Sequence, residues 1–343
     1  MARFLRNCWY MAAWSHEVGD ALLSRKIAGN PTVLYRKRDG SVTALLDRCP
    51  HRFAPLSLGS REGDCLVCPY HGLTFDAQGQ CVRNPFSEHI PKAAQIESWT
   101  CADRDGIIWM WGGDHAAADL SKIPDFSAVR DQPGRKVLRG YTHVKAGYEF
   151  CTDNLMDLSH IEFVHKGTFG GEGVIFSGCH EVIDEGETLH SNWWMPGVPA
   201  PAPTRPPFAE GQLTDHWLDM RWNAPASMQL ELGAALPGHP REEGYNIGGQ
   251  AHIVTPETES TCHYFTCNAR HNDVDNLELD AMLSGLFAQA FDGEDKPVIE
   301  ASFANLDGQD FWAAKPLSLG IDQGGTRARR KIEALLKAEA AHA

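Results

Sequence analysis

The sequence predicts an α+β protein built in two parts. An N-terminal all-β domain is expected over residues 1–125, with a connector to about 140, and a C-terminal domain over 141–343 in which helices flank an antiparallel sheet. Three observations predict this. Up to Ile123 the chain consists of short apolar and aromatic runs broken by turn signals; from Tyr141 longer strand patterns alternate with helical spacing; and 343 residues suffice for two separate cores.

In the first part, Cys8 to Trp14 reads as an opening strand. Arg3 and Arg6 precede it in loose imitation of a signal peptide, but the run is short, aromatic and without a small-residue cleavage site. Val33-Leu34-Tyr35 and Val42 to Leu46 flank the turn signal Lys37-Arg38-Asp39-Gly40. Phe75 to Val82 repeats the pattern, and Ile107 to Trp111 is a strand ended by two glycines. Asp114 to Gly140 reads as a polar connector. In the second part, Asp153 to His165 has helical character and then loosens through Gly167, Gly170, Gly171 and Gly173. Strands are expected at Ser191–Met195, Trp217–Trp222, Met228–Leu232, Ala251–Thr255 and Thr261–Cys267. The proline-rich stretch Pro196 to Pro207 reads as a surface loop at a pocket mouth, or equally as a plain linker. Helices are expected at Leu277–Phe291 and Arg327–Ala341.

The composition, 43% hydrophobic and 22% charged, is that of an ordinary globular protein. A net charge of −14 argues against nucleic acid or an anionic membrane as partner. No stretch reaches the length of a membrane span. The ten cysteines are scattered rather than set out as a secreted framework, so a cytoplasmic location is expected.

Cys49-Pro50-His51 and Cys68-Pro69-Tyr70-His71 carry the first chemical signal. Two Cys–His pairs on tight loops offer the two thiolates and two imidazoles that a [2Fe–2S] cluster with mixed ligation requires. Each proline removes a backbone N–H beside its ligand and stiffens the loop. A structural zinc site is the competing reading, because Cys65 and Cys68 also have zinc-knuckle spacing. The blocks Cys-Pro-His-Arg and Cys-Pro-Tyr-His-Gly-Leu resemble Rieske iron–sulfur proteins, which would leave Cys65 as a packed residue.

The second signal runs from Asn154 to His165. Asn154, Asp157 and His160 would share one face of a helix. His160 and His165 would stand about 140° apart on a regular helix, so joint metal binding requires the helix to bulge or end between them. Two histidines and one carboxylate with open positions form the facial triad of non-heme Fe(II) oxygenases. Alone, such histidines are more often packed or solvated; a cluster that delivers single electrons changes the balance, because something must receive them.

With these blocks, and with Ile253-Val254-Thr255-Pro256-Glu257-Thr258-Glu259 and Asp322-Gln323-Gly324-Gly325, the whole chain resembles the oxygenase component of Rieske non-heme iron aromatic monooxygenases, in the vanillate and dicamba O-demethylase subgroup. The resemblance implies that Cys49, His51, Cys68 and His71 hold the cluster. It implies that His160 and His165 bind mononuclear Fe(II) with Asp295 as third ligand, although Glu294 and Asp292 stand close by and a solvated acidic cluster is the plain alternative. It gives Asp157 the bridge from a cluster histidine of a neighbouring subunit to His160, sets Asn154 beside the iron, and implies a head-to-tail trimer and a separate flavin and ferredoxin-type reductase. No Gly-rich dinucleotide fingerprint is present in this chain.

By the same resemblance, local matching sets an asparagine of dicamba O-demethylase against Leu230, a tryptophan against Leu286 and its pocket histidine against His252, which argues against dicamba itself as substrate. His252, Leu230 and Leu286 are therefore expected to face substrate, with Arg221 a further candidate for a substrate carboxylate. The expected reaction is O-demethylation of a vanillate-like methoxylated aromatic acid with O2, releasing formaldehyde. Hydroxylation of a ring or benzylic methyl, as in toluenesulfonate- or chlorobenzoate-type relatives, is the alternative enzyme reading. A Rieske electron carrier is the more distant one, and it would hold two irons where an oxygenase holds three.

Overall fold

A computed structural model describes residues 4–201 and 207–342. Arg3 and residues 202–206 of the proline-rich stretch lie outside the described residues. The chain divides into two compact units, one of Met1–Ile123 with Thr255–Thr258 and Ala338–Ala343, the other of Pro124–Val254 and Glu259–Lys337.

Up to Ile123 the first unit is built of strands joined by turns and short 3-10 segments. Its strands are β1 (Trp9–Trp14), β2 (Leu23–Ile27), β3 (Asn30–Arg36), β4 (Val42–Leu46), β5 (Ser60–Glu62), β6 (Cys65–Val67), β7 (Thr74–Phe75), β8 (Cys81–Arg83), β9 (Ser98–Trp99), β10 (Cys101–Arg104) and β11 (Ile107–Trp111). They form three small antiparallel sheets in the orders β1-β11-β10, β2-β3-β4-β9 and β5-β6-β7-β8. Every residue of β1 and β11 is buried, which explains their unbroken apolar runs. Ala28 and Gly29, both at positive φ, close the two-residue turn between β2 and β3. A core of Val33, Tyr35, Leu45, Leu56, Leu66 and Phe75 also includes Cys49 and Cys68, so both cysteines are anchored in packed structure.

The second unit is built on a seven-stranded antiparallel sheet. In chain order its elements are β12 (Lys136–Val144), α1 (Tyr148–Met156), α2 (Ile161–Val164), β13 (Cys179–Asp184), β14 (Thr188–Pro199), β15 (Leu213–Asn223), β16 (Ser227–Ala235), β17 (Tyr245–Thr258), β18 (Thr261–Arg270), α3 (Leu277–Ala288), a π-helical turn (Gln289–Asp295), α4 (Lys296–Ala304) and α5 (Gln323–His342). The strand order is β12-β18-β17-β16-β15-β14-β13. No helix among the described residues is long and apolar enough to cross a membrane.

Four expectations need correction. The connector ends earlier than Gly140, because β12 already pairs Lys136 with Arg270 at the sheet edge. Strand β14 runs to Pro199, so the front of the proline-rich stretch is strand rather than loop. The helix foreseen from Asp153 to His165 breaks at Asp157. The helix from Leu277 does not stop at Phe291; it passes through the π turn into α4. The glycines near the end have a steric role: a Cβ on Gly324 would stand 2.6 Å from the Met156 carbonyl oxygen, so α5 packs on α1 at backbone contact.

Candidate metal centres and cavity

The two Cys–His loops share one backbone design. Cys49 N–H donates to the Ala54 carbonyl at 2.9 Å and Cys68 N–H to the Leu73 carbonyl at 2.8 Å. The Cys49 carbonyl accepts from Phe53 N–H at 2.9 Å, and the Cys68 carbonyl from Gly72 N–H at 3.0 Å. Phe53 and Gly72, four residues past their cysteines, both have positive φ, of 60° and 71°. In the second loop glycine supplies that conformation without cost; in the first, a phenylalanine is held in it by the loop itself. Asp47 secures the first loop by accepting from the Ser57 amide at 2.7 Å and the Ser57 hydroxyl at 2.6 Å.

The loops bring His51 and His71 together, with ring centroids 4.6 Å apart. Nδ1 of His71 is buried and has no hydrogen-bond partner among the described residues. Burial pushes the Cys49 thiol up to about 11, so a cation is needed to hold it as thiolate at neutral pH. Two soft sulfurs, two close imidazoles and an orphaned ring nitrogen fit a [2Fe–2S] cluster with two Cys and two His ligands.

The second centre starts where α1 ends. Asp157, at φ −124° and ψ 86°, leaves the helix, and its carboxylate caps the following turn by accepting from Ser159 N–H at 3.1 Å and Ser159 Oγ at 2.6 Å. This break makes Asn154, Asp157 and His160 members of successive turns rather than of one helical face. His160 Nδ1 reaches the Asp157 backbone carbonyl at 2.6 Å, so within one chain the observed link between the two residues is main-chain. His165 closes α2 and is followed by a glycine loop in which a Cβ on Gly170 would stand 2.2 Å from the Ile161 carbonyl oxygen. Glu162 ties that loop down, its buried carboxylate accepting from the amides of Gly171 (2.9 Å), Gly173 (2.8 Å) and Ile175 (3.1 Å).

The π turn presents Asp295 to both histidines. Its Oδ1 is 3.5 Å from His160 Nε2 and its Oδ2 is 3.3 Å from His165 Nε2. Asn154 Nδ2 donates to Asp295 Oδ1 at 3.1 Å. One donor atom from each of His160, His165 and Asp295 lies within 4.8 Å of the others. Glu294 and Asp292, the competing carboxylates, are spent elsewhere, on His165 Nδ1 at 2.8 Å and Thr142 Oγ1 at 2.6 Å. Burial holds His160 below the ordinary histidine range. Burial also opposes charging of His165, but hydrogen bonds and charge from Asp295 and Glu294 raise it. Asp295 is lowered despite burial, through His165, His160 and Asn154. Two imidazoles and one carboxylate with the remaining directions open fit a facially bound Fe(II).

These groups open into a cavity of about 840 Å³ between the sheet and the helices. His252, Leu230 and Leu286 all line it, as does Pro201 from the proline-rich stretch. Met282, Leu283, Leu286 and Phe287 do too, so α3 turns these apolar side chains to the cavity. His252 Nδ1 is 2.7 Å from Tyr264 Oη, its Nε2 is buried without a partner among the described residues, and burial lowers its pKa to about 4. Arg221 is not part of the cavity wall. It bonds the Asp125 carbonyl and Gln229 Oε1 and lies over the Phe126 ring, so it is a structural pair rather than a substrate anchor.

Sequence reasoning missed Glu162, Tyr264 and Thr168. Each acts across the fold or through backbone amides, and only Glu162, next to a run of glycines whose amides need an acceptor, left a trace in the sequence.

Comparison with known proteins agrees with this class of molecule. Residues 8–95 match the Rieske [2Fe–2S] domain, and residues 144–338 match the vanillate O-demethylase oxygenase C-terminal domain. The chain belongs to the Rieske non-heme iron oxygenase components, which carry a [2Fe–2S] cluster and a mononuclear iron. Within them it groups with the O-demethylase oxygenases. It is 40% identical over 341 residues to the dicamba O-demethylase oxygenase component of Stenotrophomonas maltophilia, covering 98% of this chain and 99% of that one. It is 36% identical over 344 residues to the chloroacetanilide N-alkylformylase oxygenase component of Rhizorhabdus wittichii, covering 98% and 97%. A crystal structure of dicamba monooxygenase bound to dicamba superimposes with a TM-score of 0.90 at 39% identity, covering 98% of this chain and 99% of that one.

Proposed function

We propose that this oxygenase component O-demethylates a methoxylated aromatic acid of the vanillate kind, with electrons from a separate flavin and ferredoxin-type reductase. One observation carries the reading: Nε2 of His160, Nε2 of His165 and the Asp295 carboxylate converge at the wall of a large, mainly apolar cavity. Cys49, Cys68, His51 and His71 hold the cluster, and His160, His165 and Asp295 hold the iron. When bound, the cluster supplies single electrons and the iron supplies O2 activation.

The chain's own residues do the rest. Leu230, Leu286 and Phe291 exclude water from the ring and its methoxy group. His252, kept neutral by burial and paired with Tyr264, offers Nε2 to the substrate carboxylate. Asn154 holds one Asp295 oxygen in place. Hydroxylation of the methyl C–H, with O2 as oxidant and two electrons and two protons supplied, inserts one oxygen atom and releases the other as water; the resulting aryl hemiacetal collapses to a phenol and formaldehyde. Asp157 takes the bridging position toward a cluster histidine of a neighbouring subunit. Exposed Phe53, Tyr70 and Phe86 around the cluster loops support a partner copy there, and the assembly is a homotrimer. The proposed location is cytoplasmic, and neither nucleic acid nor membrane is a partner.

The apolar side chains of Leu230 and Leu286 in the cavity wall favour one second reading, hydroxylation of a ring or benzylic methyl. Single-turnover assay of the reduced, iron-loaded protein with O2 and vanillate, beside methyl-substituted aromatic acids, separates the two. Near-stoichiometric formaldehyde is expected. Hydroxylated product without formaldehyde would overturn O-demethylation in favour of the second reading.

A further inference from the structure

We infer that Glu294, supported by Thr168, is a positioning residue that fixes His165 for the iron and makes the two histidine ligands unequal. This rests on the assignment of His160, His165 and Asp295 as the ligands. It adds a role for a residue that sequence reading offers only as a rival ligand.

The geometry is specific. Glu294 and Asp295 are adjacent in the chain, yet they meet opposite nitrogens of one imidazole. Glu294 Oε2 is 2.8 Å from His165 Nδ1, and Asp295 Oδ2 is 3.3 Å from His165 Nε2. Both residues close the π turn Gln289–Asp295, where the wider winding lets consecutive side chains grip one ring. A carboxylate can only accept, so Nδ1 carries the proton and the Nε2 lone pair is left for the metal. Thr168, three residues past His165, donates its hydroxyl to the same Glu294 oxygen at 2.8 Å. The Glu294 side chain is only 16% exposed, which limits screening of the contact.

Among the described residues His160 has no such partner. Its Nδ1 meets the Asp157 backbone carbonyl, a neutral acceptor, at 2.6 Å. A charged acceptor makes an imidazole a stronger donor to metal than a neutral one does. His165 is therefore the stronger, fixed ligand, and His160 the more adjustable one.

The test uses the full chain with its cluster, and variants E294A, E294Q and T168V. Ferrous iron affinity is measured by chelator competition, and the electron paramagnetic resonance of the ferrous nitric oxide adduct reports ligand symmetry. The cluster's visible spectrum is the internal control for folding. Removing such a second-layer carboxylate is expected to weaken iron binding about 10- to 100-fold and to shift the nitrosyl signal, with the cluster spectrum unchanged. E294Q, which keeps the shape but not the charge, should fall between E294A and the parent, and T168V nearer the parent. Parent-like iron affinity and nitrosyl signal in E294Q would overturn the inference, even if E294A fails to fold. D295A separates the two levels: if it keeps its iron, the ligand assignment itself fails. If D295A loses iron while E294A and E294Q do not, only the role of Glu294 fails.

Discussion

The cluster loops and the iron triad are two ways of holding metal in one chain. At the loops, four candidate ligands fall between Cys49 and His71, on two turns with matching hydrogen bonds, and both cysteines belong to the local core. At the triad, His165 and the Glu294 that grips it are 129 positions apart and meet only after the sheet and helices are in place. The first site needs little beyond its own turns. The second depends on the packing of a whole unit, so it should answer to distant changes that leave the first untouched.

Breaking each site separately gives the largest effect. C68A should abolish the visible cluster spectrum. It should also lower the melting midpoint by about 10 °C, because a core residue and its metal are lost together. D295A should keep the spectrum, lose the mononuclear iron and reduce turnover to background. Loss of both metals in either variant, read by iron analysis and absorbance, would show the sites to be less separate than the geometry implies.

A smaller effect is expected from D157N, which should keep both metals while turnover falls about 10- to 100-fold, the usual scale for residues supporting a metal ligand. Turnover at the parent rate would remove Asp157 from the electron path.

Acid stability sharpens the comparison further, because the iron-bearing unit buries neutral histidines beside its cavity. Burial lowers His252 and His216 each to about 4. An unfolded histidine takes its proton near 6.5, whereas these stay neutral until about 4, so stability falls as pH drops from 6.5 to 4 and is flat above. Each contributes about 3 kcal/mol to that loss. H252Q should reduce the slope of unfolding free energy against pH in this window by about one proton, leaving the His216 share. An unchanged slope in denaturant titrations would show that His252 is already charged.

The smallest effect is expected at Arg221. R221A should cost roughly 1 kcal/mol of stability and leave turnover and KM at parent values, as befits a cation stacked on Phe126 outside the cavity. A raised KM for acid substrates alone would restore it as a substrate anchor.

What could be read from sequence follows the same division. The loop site was legible because Cys49, His51, Cys68 and His71 are a short-range pattern with few other uses. The strands β1 and β11 were legible because buried strands show unbroken apolar runs. Among Asp292, Glu294 and Asp295 no pattern could choose; the selection depends on a π turn, which has no residue signature. Asp157 was misread as a helical residue because its spacing suits a helix, while its capping of Ser159 ends one. Strand β13 went unseen: its alternation, half-buried and exposed at the sheet edge, carries little apolar signal. Leu286 was legible as a cavity residue only through the family resemblance, because a cavity lining and a packed core demand the same residues.

The π turn also bears on how such an enzyme can change. Residues Leu279 to Asp295 lie on one continuous helical rod that first lines the cavity and then presents the carboxylate. Changing the number of residues in the turn would alter its winding and move the Asp295 carboxylate relative to the side chains that line the cavity. New substrate ranges are therefore open to substitution along this rod but closed to insertions and deletions within it. Libraries built to retarget the enzyme should hold its length constant from Leu277 to Ala304 and vary length elsewhere.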